Sequence, residues 1–289
     1  MPAVCPRFWV TNLFLSKATN QTFGAATSYS TGFSFPGWVP DGLLGLGFPS
    51  ISGYGATPVF HTLIAEDVLP SNSFGLCPTE LYIGGTNSQH YQGDFTYVKV
   101  TQEVRSCLDL KLIAFYMFQG YWQTNIDALY LSGQKIASTI PTIIDSGTAM
   151  ILGDNQTVQA FYDQIPGSSL IGSGYYSSTE DFALPLTETP LIFSLPVPCT
   201  FDSDIAFQFG STRFVIPPKN FNFGTYSSDT NACVGAFVAN DDLGESYMLH
   251  RHIPISSQIG LWVLGVAFLE TVYVEFDVGN KRIGFATPA

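Results

Sequence analysis

Ile143-Ile144-Asp145-Ser146-Gly147-Thr148 sets a carboxylate between two β-formers and a Ser-Gly-Thr turn. An apolar strand running into a glycine turn leaves that side chain at a strand end. Backbone N–H groups and hydroxyls can hold it there ionised and oriented, the condition for proton and charge chemistry. Asp-Ser-Gly alone is common, however, and by itself reads as an aspartate in an ordinary turn. Other reactive types are sparse. His250 and His252 sit two apart, on one face if the stretch is a strand, and in principle could bind a metal. With no nearby Cys or third His they read as a polar surface pair. Cys5, Cys77, Cys107, Cys199 and Cys233 form no C-x-x-C pair, so a zinc knuckle is unsupported. There is no G-x-S-x-G, phosphate-loop or dinucleotide pattern. Neither a metal nor a cofactor is expected.

The elements that must position Asp145 are mostly strands. The chain has 289 residues with 27 glycines and 18 prolines, too many for a helical bundle, and its charged fraction is only 12%. That low charge implies broad buried sheet surface. The strongest apolar run, Leu112 to Phe118, is too short to span a bilayer, so no membrane partner is expected. A net charge of −12 repels phosphate backbones and argues against nucleic acid. Strand-like text covers Glu80 to Ile83, Phe95 to Val100, Ile126 to Leu131 before Ser132-Gly133, and Phe207 to Phe209. Val272 to Val278 and Arg282 to Ala286 predict a hairpin turning at Gly279-Asn280.

Two helices are expected. One runs from Val59 to Val68 with Thr57 as N-cap and Pro58 at the first helical position. The other is capped by Asp154 or Asn155, runs through Val158, Phe161, Tyr162 and Ile165, and closes at Pro166-Gly167. Leu43-Leu44-Gly45 and Val263-Leu264-Gly265 read as two similar segments, each inside a buried strand. Asn20-Gln21-Thr22 and Asn155-Gln156-Thr157 match the N-glycosylation pattern, at a frequency close to chance. Cys199 and Cys233 flank strand-like text and could close a loop in an oxidising compartment.

From Gln21 onward the chain resembles the pepsin-like aspartic endopeptidases, fungal members in particular. The segments that carry the resemblance are Gln21 to Gly24, Asp41 to Ser52, Ala56 to Phe60, Glu80 to Asn87, Gly120 to Gln123, Thr142 to Thr148, and Trp262 to Gly265 with Phe268 and the final hairpin. The resemblance implies an all-β, bilobal fold with few short helices. It divides the chain into a partial N-terminal β-lobe, 1–119, and a C-terminal β-lobe, 120–289. Asp145 then matches the catalytic aspartate of the C-terminal lobe, and Cys199–Cys233 its disulfide. Gly147, Thr148 and Tyr121 match substrate-binding positions. In such a site two aspartates share a proton across a cleft, one acting as general base on water while the other polarises the scissile carbonyl. Polypeptide substrates, a monomeric state and a secreted or vacuolar location are likewise implied, although Met1 to Leu15 makes a poor signal peptide.

The chain departs from the family pattern in three ways. Asp145 precedes Gly265 by far more chain than lies upstream of Gly45, and no second D-S-G or D-T-G occurs. Tyr29-Ser30-Thr31-Gly32 imitates the family's flap but follows Gln21 to Gly24, whereas the flap belongs before it. The expectation is therefore one catalytic half, N-terminally truncated, and a monomer without activity. The alternative is an inactive relative or a peptide-binding remnant. Lastly, Val104 to Gln119 interrupts the family pattern. Its ends fit intron splice signals, so a retained short intron and a surface insertion both remain open.

Overall fold

The computed structural model of the chain describes residues 4–5, 11–13, 16–26, 42–101, 120–168, 193–225, 231–240 and 260–289. Tyr29 to Gly32, the 104–119 segment, His250 and His252 lie outside the described residues. The chain divides into two compact units. One comprises Met1–Asn72, Val104–Tyr121 and Tyr176–Thr189; the other comprises Ser73–Glu103, Trp122–Tyr175 and Pro190–Ala289.

In the first unit β1 (Val4–Cys5) pairs with β4 (Phe23–Gly24), and β2 (Thr11–Leu13) with β3 (Ser16–Ala18). The helix Val59–Ala65 buries Val59, Phe60 and Leu63, the one-sided spacing of an amphipathic helix. Its start is one residue later than the sequence suggests. The Pro58 carbonyl accepts the first helical bond, from Thr62 N–H at 3.0 Å, so Pro58 is the N-cap and Thr57 lies outside. Its end is earlier than Val68, because Asp67 has a left-handed backbone with φ of 53°. Gln21 ties the entry down: its amide donates to Thr57 O at 2.9 Å, and its Oε1 accepts from Thr62 Oγ1 at 2.7 Å.

The expectation of a buried strand at Leu43-Leu44-Gly45 is wrong. Among the described residues this segment has no strand partner, and Leu43 is 80% exposed. Apolar β-text becomes a buried strand only where a ladder and a packed face receive it.

The second unit holds the remaining strands: β5 (Ser73–Cys77), β6 (Glu80–Ile83), β7 (Tyr91–Lys99), β8 (Gln123–Leu131), β9 (Gln134–Ile144), β10 (Ile151–Gly153) and β11 (Phe193–Pro198). They continue with β12 (Ile205–Phe209), β13 (Thr212–Ile216), β14 (Asn222–Thr225), β15 (Ala232–Ala239), β16 (Trp262–Leu264), β17 (Tyr273–Asp277) and β18 (Arg282–Pro288). A nine-stranded sheet runs β11-β15-β10-β16-β9-β8-β12-β13, with β14 added on β15. A five-stranded sheet runs β6-β5-β17-β18-β7. The fold class is all-β with short helices, as the sequence predicts.

Local chemistry explains the turns. β8 and β9 meet at Ser132-Gly133, with φ of 49° and 79°, the paired left-handed turn that matches strand twist. The C-terminal hairpin turns differently from its Gly279-Asn280 prediction. Asp277 captures Asn280 through its backbone N–H (2.9 Å) and its amide (2.7 Å), and the left-handed residue is Lys281. The turn therefore spans 278–281. Aromatic rings fill the core of the larger sheet: Phe237 meets Phe161, Phe207, Phe221 and Trp262. Cys199–Cys233 is bonded, with Cα atoms 4.9 Å apart, fastening the ends of β11 and β15. In the helix Asn155–Tyr162, Asn155 is the first helical residue and its Oδ1 is buried.

Candidate active site

Strand β9 delivers Asp145. Its last residues, Thr142 to Ile144, are buried and clamped on both sides. Parallel β16 pairs Val263 with Ile143 and Leu264 with Ile144, while antiparallel β8 sets Gln123 opposite Ile143. Ile144 N–H donates to Trp122 O at 2.9 Å, and Asp145 N–H donates to Leu264 O at 3.1 Å. The backbone at Asp145 is thus fixed by the ladder before its side chain leaves the sheet.

The carboxylate then folds back on its own turn. Oδ1 accepts the Gly147 N–H at 2.9 Å, and Oδ2 accepts the Thr148 hydroxyl at 2.7 Å. With one donor on each oxygen, rotation about the last bond of the side chain is restrained. Asp145 is half-buried, while Ser146 and Gly147 are exposed, so this edge of the site faces solvent. Gly147 suits the close approach: a Cβ there would stand 3.2 Å from Asp145 Oδ1. Among the described residues no second carboxylate hydrogen-bonds to Asp145.

Behind the turn, backbone meets backbone. Val266 N–H donates to Thr148 O at 2.7 Å, and Ala267 N–H to Ala149 O at 3.0 Å. A Cβ on Gly265 would lie 2.1 Å from Thr148 O and 2.2 Å from Met150 O, closer than non-bonded atoms tolerate. The Val263-Leu264-Gly265 segment therefore holds glycine so that β16 can press on the turn that carries Asp145. Asp154 supports the same strand from below. Its Oδ1 caps the helix Asn155–Tyr162 through Thr157 N–H (2.8 Å), and its Oδ2 accepts the indole N–H of buried Trp262 (2.9 Å). Of the two caps the sequence offers, Asp154 and Asn155, Asp154 is the one used. Its support of Trp262 is not legible in the sequence, because the contact spans 108 residues.

Asp145, Gly147 and Thr148 are therefore brought together in one turn. Tyr121 is half-buried and belongs to the first unit. A further cluster escaped the sequence reading. Cys77, Glu80 and His90 converge beside Tyr273 in the second unit. Burial, with the Asn87 hydrogen bond opposing it and Glu80 and Cys77 adding to it, pushes the Tyr273 phenol up to about 12. The signal was Cys77 and Glu80 spaced across a two-residue hairpin tip, a pattern outside the C-x-x-C and paired-His templates.

The comparisons with known proteins agree with this architecture. The family model "Eukaryotic aspartyl protease" matches residues 14–288. The chain is 34% identical over 275 residues to an aspartic protease of Phaffia rhodozyma, covering 93% of this chain and 56% of that protein. It is 28% identical over 280 residues to cathepsin D of Dictyostelium discoideum, covering 93% and 60% respectively. With pepsin A of Sus scrofa it shares 27% over 281 residues, covering 94% and 60%. The chain thus spans a little over half the length of these relatives. It belongs to the eukaryotic aspartyl protease family.

Proposed function

We propose that Asp145 is one of the two aspartates of an aspartic endopeptidase and that this chain supplies the C-terminal half of that site. The observation that carries this is the hold on Asp145: a strand end fixed by Leu264, with Gly147 N–H and Thr148 Oγ1 on its two oxygens. Hydrolysis needs a second carboxylate, since one group must take the proton from water while the other polarises the carbonyl. The lobe division at 119/120 belongs to the same proposal, as does Tyr121 in substrate binding. Substrates are polypeptides, and the working form is a monomer. A secreted or vacuolar setting suits the Cys199–Cys233 disulfide.

Protein hydrolysis in mildly acidic buffer tests this with two samples, the chain itself and the product of the full spliced gene. The full product is expected to cleave and to lose cleavage with Asp145→Asn, while the chain alone stays at background. Cleavage by the chain alone that Asp145→Asn abolishes would overturn the half-site proposal and keep the aspartate's role. Cleavage that survives Asp145→Asn would overturn both. If neither sample cleaves, yet both bind a peptide that mimics the transition state, the family relative is a peptide binder.

A further inference from the structure

We infer that Cys77, Glu80 and His90 form a zinc-binding site with one open position, separate from Asp145. The three ligand atoms lie within 4.8 Å of one another. Cys77 Sγ is 3.5 Å from His90 Nδ1, and Glu80 Oε2 is 3.3 Å from the same nitrogen. Tetrahedral zinc, with a Zn–S bond of about 2.3 Å and Zn–N and Zn–O bonds of about 2.0–2.1 Å, requires S···N and N···O edges of roughly 3.5 and 3.3 Å. Two edges of the polyhedron are already at those lengths. The third, from Sγ to the carboxylate, closes to roughly 3.6 Å in the same geometry.

The contacts separate a metal site from a catalytic relay. In a thiol–imidazole–carboxylate relay the thiol and the carboxylate engage opposite ring nitrogens, so that a proton taken at one is stabilised from the other. Here both face Nδ1. Three donors converging on one point suit a cation between them. Glu80 Oε2 is buried and makes no hydrogen bond, standing 3.3 Å from Nδ1. A buried carboxylate oxygen left this way has unmet electrostatic demand.

The surroundings fix the donors. Cys77 and Glu80 face each other in the β5–β6 register, on either side of the Pro78-Thr79 turn. Because β6 and β7 occupy opposite edges of the five-stranded sheet, the 84–90 connection crosses between them and brings His90 to the hairpin tip. Asn87 Nδ2 donates to Glu80 Oε1 at 3.0 Å, leaving Oε2 as the ligand oxygen. Asn87 is itself held, its N–H donating to Tyr273 Oη at 2.9 Å and its Oδ1 accepting from Gln89 N–H at 3.1 Å. Such outer partners orient metal ligands and tune affinity. Cys77 is a free cysteine and is half-buried. Zinc binding releases the thiol proton to solvent and forms a Zn–S bond, with no change in oxidation state. Three protein ligands leave the fourth position for water or a ligand group.

The test uses the whole chain carrying Cys5→Ser and Cys107→Ser, so that Cys77 is the sole thiol outside the disulfide. Cobalt(II) titration at neutral pH should raise a thiolate-to-metal charge-transfer band that saturates at one equivalent and is displaced by zinc. Cys77→Ser should abolish the band and weaken zinc binding, read by competition with a chromophoric chelator, by about 100-fold or more. Glu80→Gln and His90→Gln should each weaken it by about 10–100-fold, and Asp145→Asn should leave it unchanged. Zinc should also slow the reaction of Cys77 with a disulfide reagent, a readout needing no change to the ligand set. Absence of the band, absence of that protection, or equal zinc affinity after Cys77→Ser would overturn the site.

Discussion

Leu43-Leu44-Gly45 and Val263-Leu264-Gly265 are nearly the same words in different surroundings. Leu264 is fully buried between β9 and β10, whereas Leu44 is 48% exposed. A Cβ on Gly265 would collide with two carbonyl oxygens, while one on Gly45 would meet nothing within 4 Å. The apolar-Leu-Gly pattern therefore has no structural value of its own. It acquires one where flanking strands turn the glycine into the only residue that lets two backbones touch. At Gly265 that contact supports the turn bearing Asp145, and so the site depends on it.

The largest expected break of this comparison is at the glycines. Gly265→Ala should destabilise the second unit by more than about 3 kcal/mol, since the obstacle is backbone that cannot swing away, while Gly45→Ala should change stability by less than about 0.5 kcal/mol. Thermal unfolding of the two variants side by side checks it. Next come the leucines. Leu264→Ala should cost about 2–5 kcal/mol through the cavity it leaves, and Leu44→Ala close to nothing. Asp154→Ala follows, expected to cost about 1–2 kcal/mol because it removes both the helix cap and the partner of the Trp262 indole. Near-ultraviolet circular dichroism should report the loosened tryptophan.

The smallest effects are pH-dependent and have a fixed sign. Burial pushes the Asp277 carboxyl up, but the hydrogen bonds from Asn280 and Arg282 outweigh it and hold the group below its ordinary 3.8. Its stabilisation is complete above that ordinary value and is lost as pH falls through the lower folded one. His61 behaves differently. Burial lowers its value below 6.5, and neither ring nitrogen has a partner to stabilise a charge. Its neutral form favours the fold above 6.5, so stability of the first unit should decline as pH falls below 6.5. Urea unfolding across that range should show the slope, and His61→Phe should flatten it.

Legibility in the sequence followed the range of the interaction. The Asp145 turn was readable because its strand and both its donors lie within a few residues. So were the Ser132-Gly133 turn and, to within the choice of Asp154 or Asn155, the helix cap, each closed by near neighbours. The start of the helix Val59–Ala65 was missed by one residue, since Thr57 and Pro58 compete for the cap and only the Pro58–Thr62 bond decides. Gly279-Asn280 does lie in the C-terminal turn, but Asp277 captures Asn280 and lengthens that turn to 278–281. Leu43-Leu44 was misjudged because burial depends on what packs against a segment. The Cys77, Glu80 and His90 cluster was hidden for the same reason: a connection crossing a whole sheet brings His90 to the hairpin.

The most direct measurement is the cleavage rate of the proposed two-aspartate enzyme with Asp145→Asn, against Asp163→Asn at the end of the helix Asn155–Tyr162 as control. Loss of at least about a thousand-fold with Asp145→Asn alone, at unchanged thermal stability, is the predicted result. Equal rates for the two variants would contradict the assignment of Asp145.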